Sequence, residues 1–289
     1  MQIIAALPDP DLMAPLAQHP FQAAALARIG VPAAMCVLGR GRGASGQALV
    51  IRRPLGGLVS RGPVWAAPPD PAQQTQALRL LAPRLVEAEG PDCPALRLAG
   101  FRMIITPAHM AEIDLTGTAA DRLARAHPKW RAALRQAQAA RLAVRDEPFD
   151  PARHGWFLAA EAAQRQARRY RALPLAIVAA WAALYPLCTR LAWVDGADGP
   201  QGGMLILRHG PVASYHIGWN GPAGRAARVH HLILATMADS LAADGVRRLD
   251  LGLVDTDQAA SLARFKIGCG ATVRPLGGSW LRLLPVTPG

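Results

Sequence analysis

Between Arg190 and Trp219 three short apolar runs are set apart by turn residues, and no feature of the chain limits its fold more. Arg190–Val194, Met204–Arg208 and Val212–Trp219 read as strands. The segment Asp195–Gly203 is dense in Gly, Asp and Pro and reads as a turn, and His209-Gly210-Pro211 closes a hairpin. A helix is predicted from about Gly224 to Asp244, because Val229, Leu232, Ile233, Met237 and Leu241 recur at three- and four-residue spacing. Gly245 is placed to stop it. Arg248–Gly252 reads as a strand, Asp257–Phe265 as a short helix and Ser279–Leu284 as a last strand. The order is meander, helix, strand, helix, strand: a mixed α/β unit.

A similar order comes earlier. Ala33–Leu38 and Gln47–Arg53 read as a hairpin, Pro71–Ala88 as a helix with Leu78, Leu81 and Leu85 on one face, and Ala95–Ala99 as a strand leading to Glu112–Gly117. The order of elements repeats without a residue-by-residue repeat, so the expectation is two like-built halves, residues 1–150 and 151–289. A basic helical segment joins them. Thr118 and Asp121 have capping-box spacing, and Pro128 ends one helix and opens the next. In that second helix Arg131, Arg135 and Gln138 share a face opposite Trp130, Leu134 and Ala137. A solvated face and a phosphate-contacting face both fit this pattern.

Composition narrows the classes. With 51% hydrophobic residues, 289 residues can bury a sizeable core. The net charge is +12, yet only two of the 32 basic residues are lysines, Lys129 and Lys266. Compositional bias explains that balance as well as a polyanionic partner does. Cys36, Cys93, Cys188 and Cys269 stand far apart with no CxxC pairing, which suits a reducing compartment. The first residues lack the basic start and apolar run of a signal peptide. The uncharged stretch Ala172–Thr189 is broken by Pro174 and Pro186, so it reads as a buried helix rather than a membrane span. A cytoplasmic protein is expected.

Several motifs fail in instructive ways. Gly41-Arg42-Gly43-Ala44-Ser45-Gly46 fits GxGxxG, but a strand-like run follows where a dinucleotide site needs a helix, so the glycines read as a hairpin loop. There is no GxxxxGK[ST] loop and no GxSxG elbow. His230 and His231 are adjacent on a helix and point about 100° apart, so they make no i,i+4 metal pair; one is expected packed and one exposed.

Two blocks carry a resemblance. The first is Glu112-Ile113-Asp114-Leu115-Thr116-Gly117 followed by Lys129-Trp130-Arg131 and Leu134-Arg135-Gln136-Ala137. The second runs from Ala213-Ser214-Tyr215-His216-Ile217-Gly218 through Asp250-Leu251-Gly252 to Leu262-Ala263-Arg264-Phe265-Lys266-Ile267-Gly268-Cys269-Gly270-Ala271. Together they resemble the Fem (FemABX-like) acyltransferases of the GNAT superfamily, over the span from about His19 to Gly270. The resemblance implies a double GNAT-like fold, two acyltransferase-type halves facing a cleft. It also implies transfer of an aminoacyl group from aminoacyl-tRNA to an amine acceptor, with no permanently bound cofactor. No heptad run long enough for the coiled-coil arm of some Fem proteins is present. The GNAT acyl-CoA loop, [RQ]-x-x-G-x-[GA], is not met by Arg225-Ala226-Ala227-Arg228-Val229-His230, where Arg228 stands in place of the glycine. Transfer from acyl-CoA with a modified loop, and a non-catalytic RNA- or protein-binding scaffold, remain as alternatives.

GNAT-like transfer is direct attack of a neutral amine on an activated carbonyl, so a site must orient two substrates, remove a proton and stabilise an oxyanion. Lys266 is the candidate for the oxyanion, being a compact charge with movable donors in a chain that otherwise uses arginine. His216 could accept the proton; Tyr215 and His216 alternate across a strand, so one of them faces the cleft. Asp250, read at the C-terminal part of a strand, is a further catalytic candidate, with Asp255 and Asp257 weaker ones. Substrate or phosphate binding falls to Lys129, Arg131, Arg135, Arg225, Arg228, Arg264 and Phe265.

Overall fold

The computed structural model describes residues 1–40, 43–90, 93–168 and 174–282. The chain forms two compact units, Met1–His109 with the chain from Pro275 on, and Met110–Arg274. In the first, β1 (Gln2–Ile4) and α1 (Pro20–Arg28) precede a meander of β2 (Ala33–Arg40), β3 (Gly43–Arg53) and β4 (Gly56–Ser60), with β5 (Val64–Trp65) paired to β3. Then come α2 (Pro71–Leu81), β6 (Pro83–Glu87), α3 (Pro94–Leu98) and β7 (Phe101–Ile105).

Two predicted elements change here. The helix expected through Ala88 stops at Leu81: Ala82 turns left-handed at φ 44°, and Pro83 has no N–H to continue the ladder. Leu85, which completed the helical face in the sequence, lies on β6. The expected strand Ala95–Ala99 is α3, which Pro94 opens and Gly100, at φ 86°, ends. Gly41 and Arg42 of the expected hairpin loop lie outside the described residues, but β3 follows them, as the rejection of a dinucleotide site required.

The second unit holds β8 (His109–Asp114), α4 (Ala119–Arg125), α5 (Pro128–Ala139), β9 (Val144–Pro148), α6 (Gly155–Arg168) and α7 (Leu175–Leu184). A meander of β10 (Thr189–Gly196), β11 (Gly199–His209) and β12 (Val212–Asn220) leads to α8 (Pro222–Ala226) and α9 (Val229–Ala243). The unit closes with β13 (Arg248–Val254), α10 (Ala260–Gly268) and β14 (Thr272–Pro275), and β15 (Ser279–Arg282) belongs to the first unit's sheet. The predicted capping box of Thr118 and Asp121 opens α4, and Pro128 is the first residue of α5.

The sheets run β1-β2-β3-β4-β6-β15-β7 and β9-β10-β11-β12-β13-β8-β14. Each is a meander followed by a helix and a strand parallel to the meander's third strand, with one strand inserted before the last. The expected boundary at residue 150 does not follow this division. β8 is a central strand of the second sheet, so the first stretch of the chain ends near residue 110 and resumes only at β15.

The second unit's sheet is covered on both faces. Trp130 and Leu134 of α5 and Leu232, Ile233, Met237 and Leu241 of α9 pack on one face, and Phe157 and Val178 of α6 and α7 pack on the other. Burying each such side chain contributes about 1.5–3 kcal/mol, which ties the helices to the sheet.

Candidate active site

β12 and β13 run parallel but pair at only three positions, Val212 with Arg248, Ala213 with Leu249 and Ser214 with Asp250. Both strands continue beyond these pairs, to Asn220 and Val254. The cause lies in β12. Leu205 of β11 pairs with Ile217, but the next residue, Ile206, pairs with Tyr215, so His216 is an extra residue in a β-bulge. A bulge bends its strand and raises the local twist. It also exchanges the strand's faces. Ala213 and Tyr215 pack on the α5–α9 side, while Ile217 and Trp219 pack with Phe157 on the other, where unbroken alternation would have kept all four together. The expectation that Tyr215 and His216 simply alternate is corrected by this bulge.

Tyr215 folds back along its own strand. A Cβ on Gly218 would lie 1.7 Å from the Tyr215 hydroxyl, so only glycine lets the ring rest there. Gln164 of α6 donates from Nε2 to the Gly218 carbonyl at 3.0 Å. His216 is half-buried, and burial lowers its pKa to about 4, leaving the ring neutral at pH 7.

Lys266 comes from α10 to the distal end of β13. It is 6% exposed, and its Nζ donates to the Leu253 carbonyl at 2.7 Å. Gly252 beside it has φ 84°, and a Cβ there would lie 3.4 Å from Nζ. No carboxylate among the described residues pairs with this ammonium, and burial lowers its pKa to about 8. One carbonyl engages one of three N–H groups, leaving two donors.

The expected helix from Gly224 is two helices. The chain breaks at Arg228, which takes the left-handed conformation (φ 58°) as the N-cap of α9. This is the position where the acyl-CoA loop of the resembled family has glycine, and its backbone is the one glycine favours. Gly224 just before it is held by close packing: a Cβ would meet the Gln201 carbonyl at 2.3 Å. Arg225 is exposed, and its guanidinium donates to the Asn220 carbonyl. Neither His230 nor His231 is exposed, contrary to expectation. His230 Nε2 bonds the Trp219 carbonyl at 2.8 Å, and His231 lies between Trp130 and Phe265, its ring centroid 5.1 Å from Phe265. Burial lowers both imidazoles to about 4, so both are neutral. Phe265 thus joins α10 to the first turn of α9, and His230 joins that turn to the distal part of β12.

Lys266, Phe265, Tyr215, His216, Arg225 and Arg228 therefore belong to the elements around the parting of β12 and β13. Asp250 does not sit where the sequence placed it. It is in the first half of β13, nine-tenths buried, with Arg248 Nε donating to it at 2.7 Å. Arg248 also approaches Glu112, which holds Arg274 at 2.7 Å. Asp255 accepts the amides of Asp257 and Gln258 and caps a turn. Lys129, Arg135 and Arg264 are exposed on α5 and α10, and Arg131 donates to the Ala124 carbonyl at 3.3 Å. The closing glycines of the RFK block serve packing. A Cβ on Gly268 would meet the Trp130 ring at 3.2 Å, and one on Gly270 would meet the Arg125 carbonyl carbon at 2.9 Å. Sequence reasoning missed Gly252 and Gln164; a glycine inside a strand was the available signal for the first.

No protein-family model matches the chain, and no curated protein matches its sequence. Solved structures match it along nearly its whole length. FemX matches with a TM-score of 0.76 at 14% identity, over 93% of this chain and 92% of that one. L-PGS from Bacillus licheniformis matches with a TM-score of 0.55 at 13% identity, over 92% and 93%. A tandem GNAT protein from the clavulanic acid biosynthesis pathway matches with a TM-score of 0.53 at 12% identity, over 93% and 88%. The fold is the double GNAT-like fold that the motifs implied.

Proposed function

We propose that the chain is an acyltransferase of the Fem-like, double-GNAT kind, which moves an aminoacyl group from aminoacyl-tRNA to an amine. The observation that carries this reading is the buried Lys266 ammonium, unpaired by any described carboxylate, at the distal end of a strand whose parallel neighbour has parted from it. The amine nitrogen attacks the ester carbonyl, the carbonyl oxygen takes negative charge, and Lys266 donates its free N–H groups to that oxygen. The ester C–O bond then breaks, and the ribose hydroxyl leaves with the proton the amine gives up. His216, neutral at pH 7, is available to pass that proton.

Arg228 supports tRNA over acyl-CoA as donor. A left-handed glycine at a helix N-terminus lets backbone amides reach a pyrophosphate, while an arginine there offers a long cation for a phosphodiester. A buried, unpaired lysine costs stability, for which a non-catalytic scaffold has no use. Among the described residues no helix is long and apolar enough to cross a membrane. Incubating the protein with a pool of charged tRNAs and a primary amine tests the reading. Amine-dependent discharge of tRNA, lost in Lys266→Met, is expected. Consumption of acetyl-CoA instead would overturn the donor, and discharge by neither route would overturn catalysis.

A further inference from the structure

One end of the first unit's sheet carries exposed cations and exposed leucines, and no acid. The strand pairings define that end. Arg53 of β3 pairs with Gly56 of β4, Gly57 with Pro83 of β6, Leu85 with Leu281 of β15, and Arg282 with Phe101 of β7. Three junctions therefore come together there: the β3–β4 turn, the passage from α2 to β6 and the passage from α3 to β7. Arg79 of α2 ties two of them by donating to the Leu98 carbonyl at 3.4 Å. The turn brings Arg52, Arg53 and Leu55, which is 84% exposed. The second junction brings Arg79, Leu80 and Arg84, and the third Leu98, 61% exposed, and Arg102.

These arginines are all exposed, and none makes an ion pair among the described residues. No Asp or Glu occurs in residues 51–57, 79–84 or 98–102. The unit's described acids lie elsewhere: Asp9 and Asp11 before α1, Asp70 at the other end of α2, and Glu87 and Glu89 toward the far end of β4, where Glu89 pairs with Arg61. A single exposed leucine is ordinary, but three set among unpaired arginines mark an interaction surface. Its occupant must take both kinds of side chain. A nucleic acid would take the arginines and leave the leucines in water, and base stacking needs open rings, whereas Phe101 and Trp280 here are buried. A second copy meeting this end with its own would set arginine against arginine. A bilayer surface with anionic lipid takes both: phosphates face the guanidiniums, and the leucines enter the boundary between headgroups and acyl chains.

We infer that this end of the first unit docks on a membrane surface rich in anionic phospholipid. The contact is peripheral, needs no membrane-spanning helix and does not rest on the proposed transfer reaction. Co-sedimentation with vesicles of phosphatidylcholine, alone or mixed equally with phosphatidylglycerol, tests it. The mixed vesicles should bind at least tenfold tighter, and that advantage should shrink as salt rises. An arginine near an anionic surface strengthens binding about fivefold, so Arg53→Glu, which also adds a repelled charge, should weaken it at least tenfold. Arg141→Glu makes the same charge change at an exposed position of the second unit and should stay within twofold of the parent. Leu55→Ser should weaken binding at least fivefold at any salt concentration, because it removes apolar contact. Lys266→Met should bind as the parent does. Equal binding to both vesicles, equal loss in Arg53→Glu and Arg141→Glu, or no loss in Leu55→Ser would each overturn the inference. So would binding of deacylated tRNA, lost in Arg53→Glu, with neither vesicle bound, which would make this end a nucleic-acid surface.

Discussion

In the first unit β4 stays beside β6 to its last residue: apart from one irregularity at Gly57 and Leu58, the pairs run on to Ser60 with Glu87. In the second, β12 and β13 pair for three residues and then part. The two sheets have the same strand order, so topology does not make the difference. One inserted residue, His216, and a longer third strand do. The groups around the corresponding ends differ as well. Beyond β4 the first unit uses its own side chains: Gln18 donates to the Ser60 carbonyl at 2.6 Å and accepts from the Leu49 amide at 2.8 Å. Its following helix starts from an acid, Asp70, where the second unit's long helix α9, after the short α8, starts from Arg228. One copy of the fold has been closed with hydrogen bonds, and the other keeps a buried cation at an open edge.

The largest test of this contrast is Lys266→Met. Transfer should fall at least a hundredfold with the fold intact, while Arg97→Met on α3, the first unit's counterpart of α10, should leave transfer unchanged. Equal loss in both variants would break the comparison.

The same lysine should be visible in stability. Its pKa falls from 10.5 to about 8 on folding, because burial disfavours the charged form. Between those values the unfolded chain holds a proton that the folded chain has released, so stability should rise with pH through that window. Below pH 8 both states are protonated and the full cost of burial remains. Lys266→Met should therefore be more stable than the parent at pH 7, by about 3 kcal/mol, with the gap closing toward pH 10.5. Urea unfolding at pH 7 and pH 10 checks this. Transfer should decline above pH 8 as the ammonium is lost; a rise there would make Lys266 a base.

Gly218→Ala probes the bulge itself. Its Cβ would displace the Tyr215 ring, and such overpacking costs about 1–3 kcal/mol. Transfer should drop with stability. The matched change in the first unit, Gly57→Ala against Val50 at 2.9 Å, should lower stability alone.

These features were unevenly legible in the sequence. The meander, the long helix and the RFK block could be read because apolar spacing and turn residues fix them locally. The bulge could not, since β12 keeps the composition of a plain strand and its extra residue shows only against β11. Asp250 looked catalytic although its partner Arg248 is only two residues back on the same strand; the Glu112 carboxylate that Arg248 also approaches depends on which strands lie side by side. Pro71–Ala88 misled for a related reason: Leu85 continues the helical spacing by chance, and Pro83 carried the correct signal. The boundary at 150 failed because a central strand, β8, and a returning one, β15, leave no mark of their sheet in composition.

The smallest expected effects fall on the two helix caps and separate them most sharply. Asp70 accepts the Gln73 amide at 2.7 Å, so Asp70→Ala should cost ~1 kcal/mol of stability and leave the donor's KM unchanged. Arg228 caps nothing with its side chain and holds a left-handed backbone. Arg228→Gly relieves that conformation, but the unfolded chain gains about 0.4–1 kcal/mol of entropy in return, so stability should barely move. Donor KM should instead rise about tenfold, near 1.4 kcal/mol, and affinity for acetyl-CoA should increase as the amides of α9 become accessible. Thermal melts beside KM values for both variants decide the matter. If Asp70→Ala shifts KM, or Arg228→Gly shifts only the melt, the two helix starts are equivalent and the division of labour between the units fails.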